Sequence, residues 1–215
     1  MPAEASRPRA IVTGGARGIG GSIASTLIDQ GWAVTVVDIN EKAVAAASAS
    51  QAAGAGLLEA VELSIVDRPA VEEFVLSQVA RHGPIGALVN NAGMTRPATF
   101  LDQTDEDWDR IVEVNLKGTF VMSQVVARTM AERGGAIVNI SSVSAHGVRT
   151  GPPAYAAAKA GVEGLTRLMA VQLGERGIRV NTVVVGTTAT PWLLSRKTEE
   201  ELDEMRGSTL TGRIG

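Results

Sequence analysis

Tyr155 and Lys159 stand four residues apart in the run Tyr-Ala-Ala-Ala-Lys. In a helix that spacing stacks the two side chains on one face. A free phenol has a pKa of about 10, too high to exchange protons efficiently near neutrality. An ammonium beside it favours the phenolate and lowers that pKa, the tuning that general acid–base catalysis needs. Taken alone, such a pair is most often an ordinary helix surface. Two features set this one apart: Tyr155 is the only tyrosine in the chain, and the pair follows an apolar run that ends at Ser141-Ser142. That run reads as a strand, and open α/β sheets bind ligands at the carboxyl ends of their strands.

A second group lies near the N-terminus, in Thr13-Gly14-Gly15-Ala16-Arg17-Gly18-Ile19-Gly20. It falls between a β-branched run and an amphipathic one. Glycine there lets the backbone turn sharply, approach a pyrophosphate and pack the helix against the strand. The helix N-terminus then offers free N–H groups to phosphates. Glycine turns are common, so it is the strand–helix placement that gives the motif weight. No Gly-Lys-Ser/Thr follows, which disfavours a nucleoside-triphosphate loop. Asp38 lies roughly 20 residues further on, where an acid can bind the adenosine ribose hydroxyls. A carboxylate there repels a 2′-phosphate, so NAD is the expected cofactor. Arg17 points the other way and leaves NADP open. The bland alternative for Asp38 is a cap for the helix that starts at Glu41.

These groups need a scaffold, and apolar runs alternating with amphipathic stretches supply one. Strands are expected at Ala10 to Thr13, Ala33 to Val37, Leu57 to Leu63, Ala87 to Asn90, Ala136 to Ile140 and Ile178 to Val185. Helices are expected at Ile19 to Gln30, Glu41 to Ala53, Pro69 to Arg81, Asp105 to Arg133 and Ala154 to Arg176. Thr104 and Asp107 are spaced as a capping box. Strand–helix alternation predicts a doubly wound, parallel α/β sheet of Rossmann type. Several strands are apolar without strict alternation, so helices should cover both faces. The 215 residues suit a single domain over 9–215 behind an N-terminal tail, 1–8. Within it, 191–215 contains the apolar patch Pro191-Trp192-Leu193-Leu194 and the charged, helix-prone stretch Glu199 to Arg206. Residues 191–215 are expected to be part of a segment covering the substrate. A plain surface helix is the competing reading.

Composition narrows the function classes. Net charge is −3 and aromatics make up 3% of the chain, so neither a basic field nor stacking platforms invite nucleic acid. Cysteine is absent, which excludes disulfides, thiolate catalysis and cysteine-held zinc. His82 and His146 are the only imidazoles and lie far apart, so no metal site is expected. No apolar run approaches the ~20 residues that span a bilayer. Met1 to Pro8 lacks the apolar core of a signal peptide, and a cytoplasmic protein is expected.

Together these motifs resemble the short-chain dehydrogenase/reductases, in the subgroup built around a YxxxK pair. The likeness runs from about Arg9 to Pro191. Thr13 to Gly20 looks like the family's TGxxxGxG loop, and Asn90-Asn91-Ala92-Gly93 like its NNAG segment. Asn115, in Val114-Asn115-Leu116, matches the asparagine that holds a water in the proton relay. Ser142 matches the serine that hydrogen-bonds the substrate oxygen; Ser141 is its neighbour and rival. Tyr155 and Lys159 match the acid–base tyrosine and the lysine that also grips the nicotinamide ribose. The resemblance implies catalysis by Asn115, Ser142, Tyr155 and Lys159. It implies cofactor binding by Gly14, Arg17, Gly18, Ile19, Gly20, Asp38, Asn91, Ala92, Gly93, Tyr155, Lys159, Gly186, Thr188 and Thr190. The implied reaction is hydride transfer with NAD or NADP between a secondary alcohol and a ketone. It further implies a homodimer or homotetramer, formed through the two long helices.

The substrate stays open. Asn91-Ala-Gly-Met-Thr-Arg and Ala98-Thr-Phe look like 3-oxoacyl thioester reductases, whereas Thr190-Pro-Trp192 looks like sugar or polyol dehydrogenases. Three departures from the family pattern also matter. Ser64 replaces an aspartate that holds the adenine amino group, leaving a weaker contact or one from the backbone at Ile65; Asp67 is not expected to replace it. Val185-Gly186 replaces Pro-Gly, so the loop over the nicotinamide should be less rigid. The sequence stops at Gly215, where the family continues with a helix and a seventh strand. On that ground a cofactor-binding protein without turnover is the competing reading. His146 is expected to touch substrate at most, and Trp108 to pack on the long helix.

Overall fold

The computed structural model describes residues 7–147 and 151–215. Strands β1 (Arg9–Thr13), β2 (Ala33–Asp38), β3 (Leu58–Glu62), β4 (Ile85–Asn90), β5 (Gly135–Ser142) and β6 (Ile178–Val185) form one sheet. All pairings are parallel, in the order β3-β2-β1-β4-β5-β6. The chain winds outward from β1 to β3 and then crosses back to β4 on the other side of β1. The carboxyl ends of β1 and β4 thus diverge at a topological switch point, where this class of sheet opens a ligand crevice.

Strand alternation feeds two cores. Ile11, Leu88 and Ile137 face helices α4 (Arg68–His82), α6 (Gly118–Met130) and α7 (Pro153–Gly174), through Phe74, Val75, Met122, Val126 and Met169. Ala10, Val12, Val34 and Val36 face α1 (Gly18–Asp29) and α2 (Glu41–Ser48), through Ala24, Leu27 and Ala47. Cover on both faces therefore holds for β1, β2 and β4. It does not hold for β6, where Arg179, Asn181 and Val183 are exposed and Val184 is 43% exposed. Among the described residues α7 is the helix that packs on β6, and the other side of that strand stays open.

Two helices differ from the sequence expectation. The stretch from Glu41 divides into α2 and α3 (Gln51–Gly54), because Ser50 turns back to accept a hydrogen bond from Ala53 N and starts a new helix. The long helix from Asp105 is interrupted: α5 (Asp105–Val112) runs into a π-turn (Glu113–Lys117) before α6. At its start, Thr104 accepts from Asp107 N at 3.2 Å, but the Asp107 carboxylate bonds Arg96 at 2.6 Å, so only half of the capping box forms. Trp108 lies on α5 and is 40% exposed. Past β6, the apolar patch folds into α8 (Pro191–Leu194), and the charged stretch becomes α9 (Glu199–Gly207) behind a full Thr198/Glu201 capping box. No described helix is long and apolar enough to cross a membrane. Of the N-terminal tail, residues 1–6 lie outside the described residues.

Candidate active site

The glycine loop leaves β1 and enters α1 directly. Gly14 turns with φ +59 and donates its N–H to the Val37 carbonyl at 2.7 Å. A Cβ on Gly20 would run into the Gly14 carbonyl and stand 2.5 Å from Asn91 Nδ2. Helix α1 begins at Arg17 with no side-chain cap. By contrast, α2, α3, α4, α5, α8 and α9 each begin on an Asn, Ser, Asp or Thr side chain that accepts a backbone N–H. The first N–H groups of α1 are therefore left as donors for an anion.

The segment after β4 locks onto this loop. Asn91 Nδ2 donates to the carbonyls of Thr13 and Gly14, both at 3.0 Å. Thr13 Oγ1 accepts from Asn91 N at 3.0 Å and from Ala92 N at 2.9 Å. Thr13 was quoted in the motif without a role, yet its buried hydroxyl ties β1 to the β4 loop. Its inward position on the strand was the available signal. Asn90 turns into the protein, donating to Ser123 Oγ and Asn139 Oδ1 at 2.8 Å each.

Asn115 sits in the π-turn, fully buried. A π-turn shifts the backbone ladder and frees a carbonyl from its usual helical partner. Asn115 Nδ2 donates to the Ile111 carbonyl at 2.9 Å and to the Met94 carbonyl at 2.7 Å. Its Oδ1 has no partner, although it is buried. A Cβ on Gly93 would stand 2.6 Å from that oxygen and 3.6 Å from Lys159 Nζ, which brings Gly93, Asn115 and Lys159 into one cluster. Buried polar atoms rarely stay unpaired, so Oδ1 is suited to an ordered water.

Lys159 and Tyr155 share the first turns of α7. Lys159 Nζ donates to the Ile140 carbonyl at 2.8 Å and lies 5.7 Å from the Tyr155 ring centre. Burial pushes the ammonium down to about 8, because the charged form loses its hydration. The Tyr155 phenol behaves differently from the sequence expectation. Burial raises its pKa above the ordinary value, and a hydrogen bond from Ser142 offsets only part of that. Desolvation of the phenolate thus outweighs the lysine nearby, whose ammonium is turned to the strand backbone.

Ser141 and Ser142 separate cleanly. Ser141 Oγ donates to Glu163 Oε1 at 2.7 Å, so it is committed to α7. Ser142 stays at the strand end, where its Oγ accepts from Ser144 N at 3.2 Å and donates to Ser144 Oγ at 3.3 Å. His146 meets the same Glu163 oxygen at 3.1 Å, in a place sequence spacing did not suggest.

Asp38 closes β2 and accepts from Asn40 N at 3.0 Å. The helix cap is Asn40, not Asp38, so the bland alternative for Asp38 falls away. Arg17 is exposed at the mouth of the loop. Asp67 caps α4, accepting from Ala70 N at 3.2 Å. After β6, Thr190 Cγ2 would be 3.9 Å from a Cβ on Gly18, so this segment passes over the glycine loop. Thr190 Oγ1 caps α8, and Thr188 Oγ1 donates to the Gly186 carbonyl at 3.3 Å. Ala189 N bonds the Gly215 carbonyl at 2.7 Å. An open groove elsewhere, lined by Arg96, Asp107, Arg110, Glu113 and Lys117, contains none of these site residues.

The chain is similar to known proteins over nearly its whole length. A family described as short chain dehydrogenase matches residues 8–201. A 3-oxoacyl-[acyl-carrier-protein] reductase of Thermotoga maritima is 37% identical over 205 residues, spanning 95% of this chain and 81% of the relative. D-threitol dehydrogenase of Mycolicibacterium smegmatis is 38% identical over 175 residues, 81% of this chain and 67% of the relative. The solved structure of gox2181 superposes with a TM-score of 0.89 at 31% identity, covering 98% of this chain and 84% of that one. The unbroken parallel sheet, the uncapped α1 behind its glycine turn and the Ser142–Tyr155–Lys159 cluster agree with that match: the chain belongs to the short chain dehydrogenase family of oxidoreductases.

Proposed function

We propose that the protein interconverts a secondary alcohol and a ketone with a nicotinamide dinucleotide, using Tyr155 as the general acid–base. The observation that carries this reading is the convergence of Tyr155, Ser142, a buried Lys159 and the unpartnered Asn115 Oδ1 at the carboxyl edge of the sheet. The residues fit a dinucleotide. Gly14, Gly18, Ile19, Gly20 and the free N–H groups of α1 would hold the pyrophosphate, with Arg17 beside them. Asp38 would bind the adenosine ribose, and Asn91, Ala92 and Gly93 would line the path between. Lys159 would grip the nicotinamide ribose, with Gly186, Thr188 and Thr190 on the opposite wall.

When bound, the cofactor supplies or accepts the hydride at the substrate carbon. Ser142 donates a hydrogen bond to the substrate oxygen and orients it. Tyr155 gives that oxygen its proton in reduction and takes it in oxidation. Lys159 and a water on Asn115 Oδ1 restore the proton to the phenol. With an ammonium already near 8, Lys159 exchanges protons readily at working pH.

Asp38 supports NAD over NADP, since a carboxylate at the strand end repels a 2′-phosphate. A 3-oxoacyl thioester is the first substrate class, supported by the Thermotoga maritima relative. A polyol is the second, supported by Thr190-Pro191-Trp192 and the D-threitol dehydrogenase relative. The open side of β6 supports a different reading, cofactor binding without turnover. A homodimer or homotetramer through α5–α6 and α7 agrees with the exposed Trp108, Leu168 and Val171 on those helices.

One panel tests these readings. Purified protein is assayed with NADH, NADPH, NAD and NADP against acetoacetyl-coenzyme A, small ketones and polyols. Turnover with NADH exceeding that with NADPH is expected, and Asp38→Ala should narrow the gap. Cofactor binding with no turnover on any substrate would overturn the enzymatic reading.

A further inference from the structure

We propose that Glu163 is a positioning residue: its Oε1 clamps Ser141 and His146 together and thereby fixes where the intervening Ser142 stands relative to Tyr155. The inference rests on the oxidoreductase reading above, which supplies Ser142 with its role. Glu163 lies on α7 one turn beyond Lys159 and two turns beyond Tyr155, so the three share a helix face. Two of them grip the end of β5. Lys159 Nζ donates to the Ile140 carbonyl at 2.8 Å. Glu163 Oε1 accepts from Ser141 Oγ at 2.7 Å. Ser142, between the clamped residues, accepts from Ser144 N at 3.2 Å and donates to Ser144 Oγ at 3.3 Å.

The clamp closes at its other end through His146. Its Nε2 is 3.1 Å from the oxygen that already holds Ser141. One carboxylate oxygen therefore fixes residues 141 and 146, and the short 3-10 turn Val143–His146 spans the space between them. Ser142 directly follows Ser141 in the chain, so fixing Ser141 to α7 and His146 to the same carboxylate limits where Ser142 can stand. The carboxylate is also costly where it stands: its side chain is only 15% exposed, and Ser141 is 1% exposed. An apolar pair could replace both partners at little cost in stability. A buried polar pair beside a reacting group instead supplies geometry.

The chain carries its own probe, because Tyr155 is its only tyrosine. Ultraviolet absorbance of the phenolate therefore titrates Tyr155 alone, without substrate or cofactor. The set is wild type, Ser142→Ala, Glu163→Ala and Glu163→Gln. Loss of the Ser142 hydrogen bond raises the phenol pKa, so Ser142→Ala should titrate later than wild type. Glu163→Ala should follow it, even though removing an anion by itself shifts the phenol the other way. Glu163→Gln keeps an acceptor for both donors and should titrate earlier than Glu163→Ala. In the acetoacetyl-coenzyme A assay Glu163→Ala should lose on the order of 10- to 100-fold in kcat, with NADH affinity unchanged, and Glu163→Gln should regain most of it.

Glu163→Ala titrating and turning over like wild type would overturn the clamp, as would Glu163→Gln failing as badly as Glu163→Ala. No shift in Ser142→Ala would also overturn it, since Ser142 would then not be against the phenol. Should Glu163→Ala not fold, Ser141→Ala opens the same clamp from the strand side and should shift the phenol in the same direction. A wild type inactive on every probe would sink the function while leaving the titration to decide the clamp.

Discussion

The two walls of the crevice are built differently. On one side stand the glycine loop, the Asn90–Gly93 segment and the start of α7, interlocked by buried hydrogen bonds. On the other lies the chain from Gly186 to Gly215, where α8 and α9 carry their own caps and surface ion pairs and Leu202 alone among the described hydrophobics there is buried. Thr13, Asn115, Ser142 and Lys159 are all buried on the first side; Trp192, Leu194 and Leu210 are exposed on the second. Exposed ion pairs of this kind contribute little. Proton chemistry requires fixed distances, and the buried side supplies them. Substrate selection tolerates a looser wall and draws on loops that vary.

If this contrast is right, substitutions should hurt in proportion to the wall they touch. Gly20→Ala comes first. Its Cβ meets backbone on Gly14, which cannot give way, so a loss of about 3 kcal/mol is expected, at the upper end for overpacking. Chemical denaturation and NADH binding should both report it. Lys159→Met is next and should act in the opposite direction. The unfolded lysine titrates near 10.5 and the folded one near about 8. Between those values the unfolded chain binds more protons, so wild-type stability should rise with pH through that window. At neutral pH, Lys159→Met should therefore be more stable by up to about 3 kcal/mol, less its lost hydrogen bond to Ile140, while turnover collapses. The advantage should fade as pH rises towards the ordinary lysine range. Tyr155, with its raised pKa, works against folding only above the ordinary phenol range.

The sheet and most of its elements were legible in the sequence, because apolar runs and glycine stops report backbone geometry directly. Ile178–Val185 matched to the residue. That Tyr155 and Lys159 share one face of α7 was legible too, since a four-residue spacing fixes a helix face. What was hidden depended on partners distant in sequence. The π-turn at Asn115 leaves no periodic trace, and neither does Asp107 leaving its cap for Arg96. Glu163 takes its place from Ser141 and His146, which lie far from it in sequence. The raised phenol pKa follows from burial depth, which no spacing encodes.

Thr13→Val sharpens the contrast at smaller scale. It removes one acceptor from two backbone N–H groups and should cost about 2 kcal/mol, with weaker cofactor binding. Trp192→Ala lies on the looser wall. Its stability change should stay within about 0.5 kcal/mol, and any kinetic effect should appear in substrate KM with kcat retained. A large stability loss there would erase the distinction between the walls.

The central claim is that Tyr155, held on the buried wall, moves the proton. Steady-state turnover of Tyr155→Phe, measured beside its NADH affinity, tests this most directly. A fall in kcat of about 10²- to 10⁴-fold with cofactor binding intact is the predicted result. Wild-type turnover in that variant would contradict it.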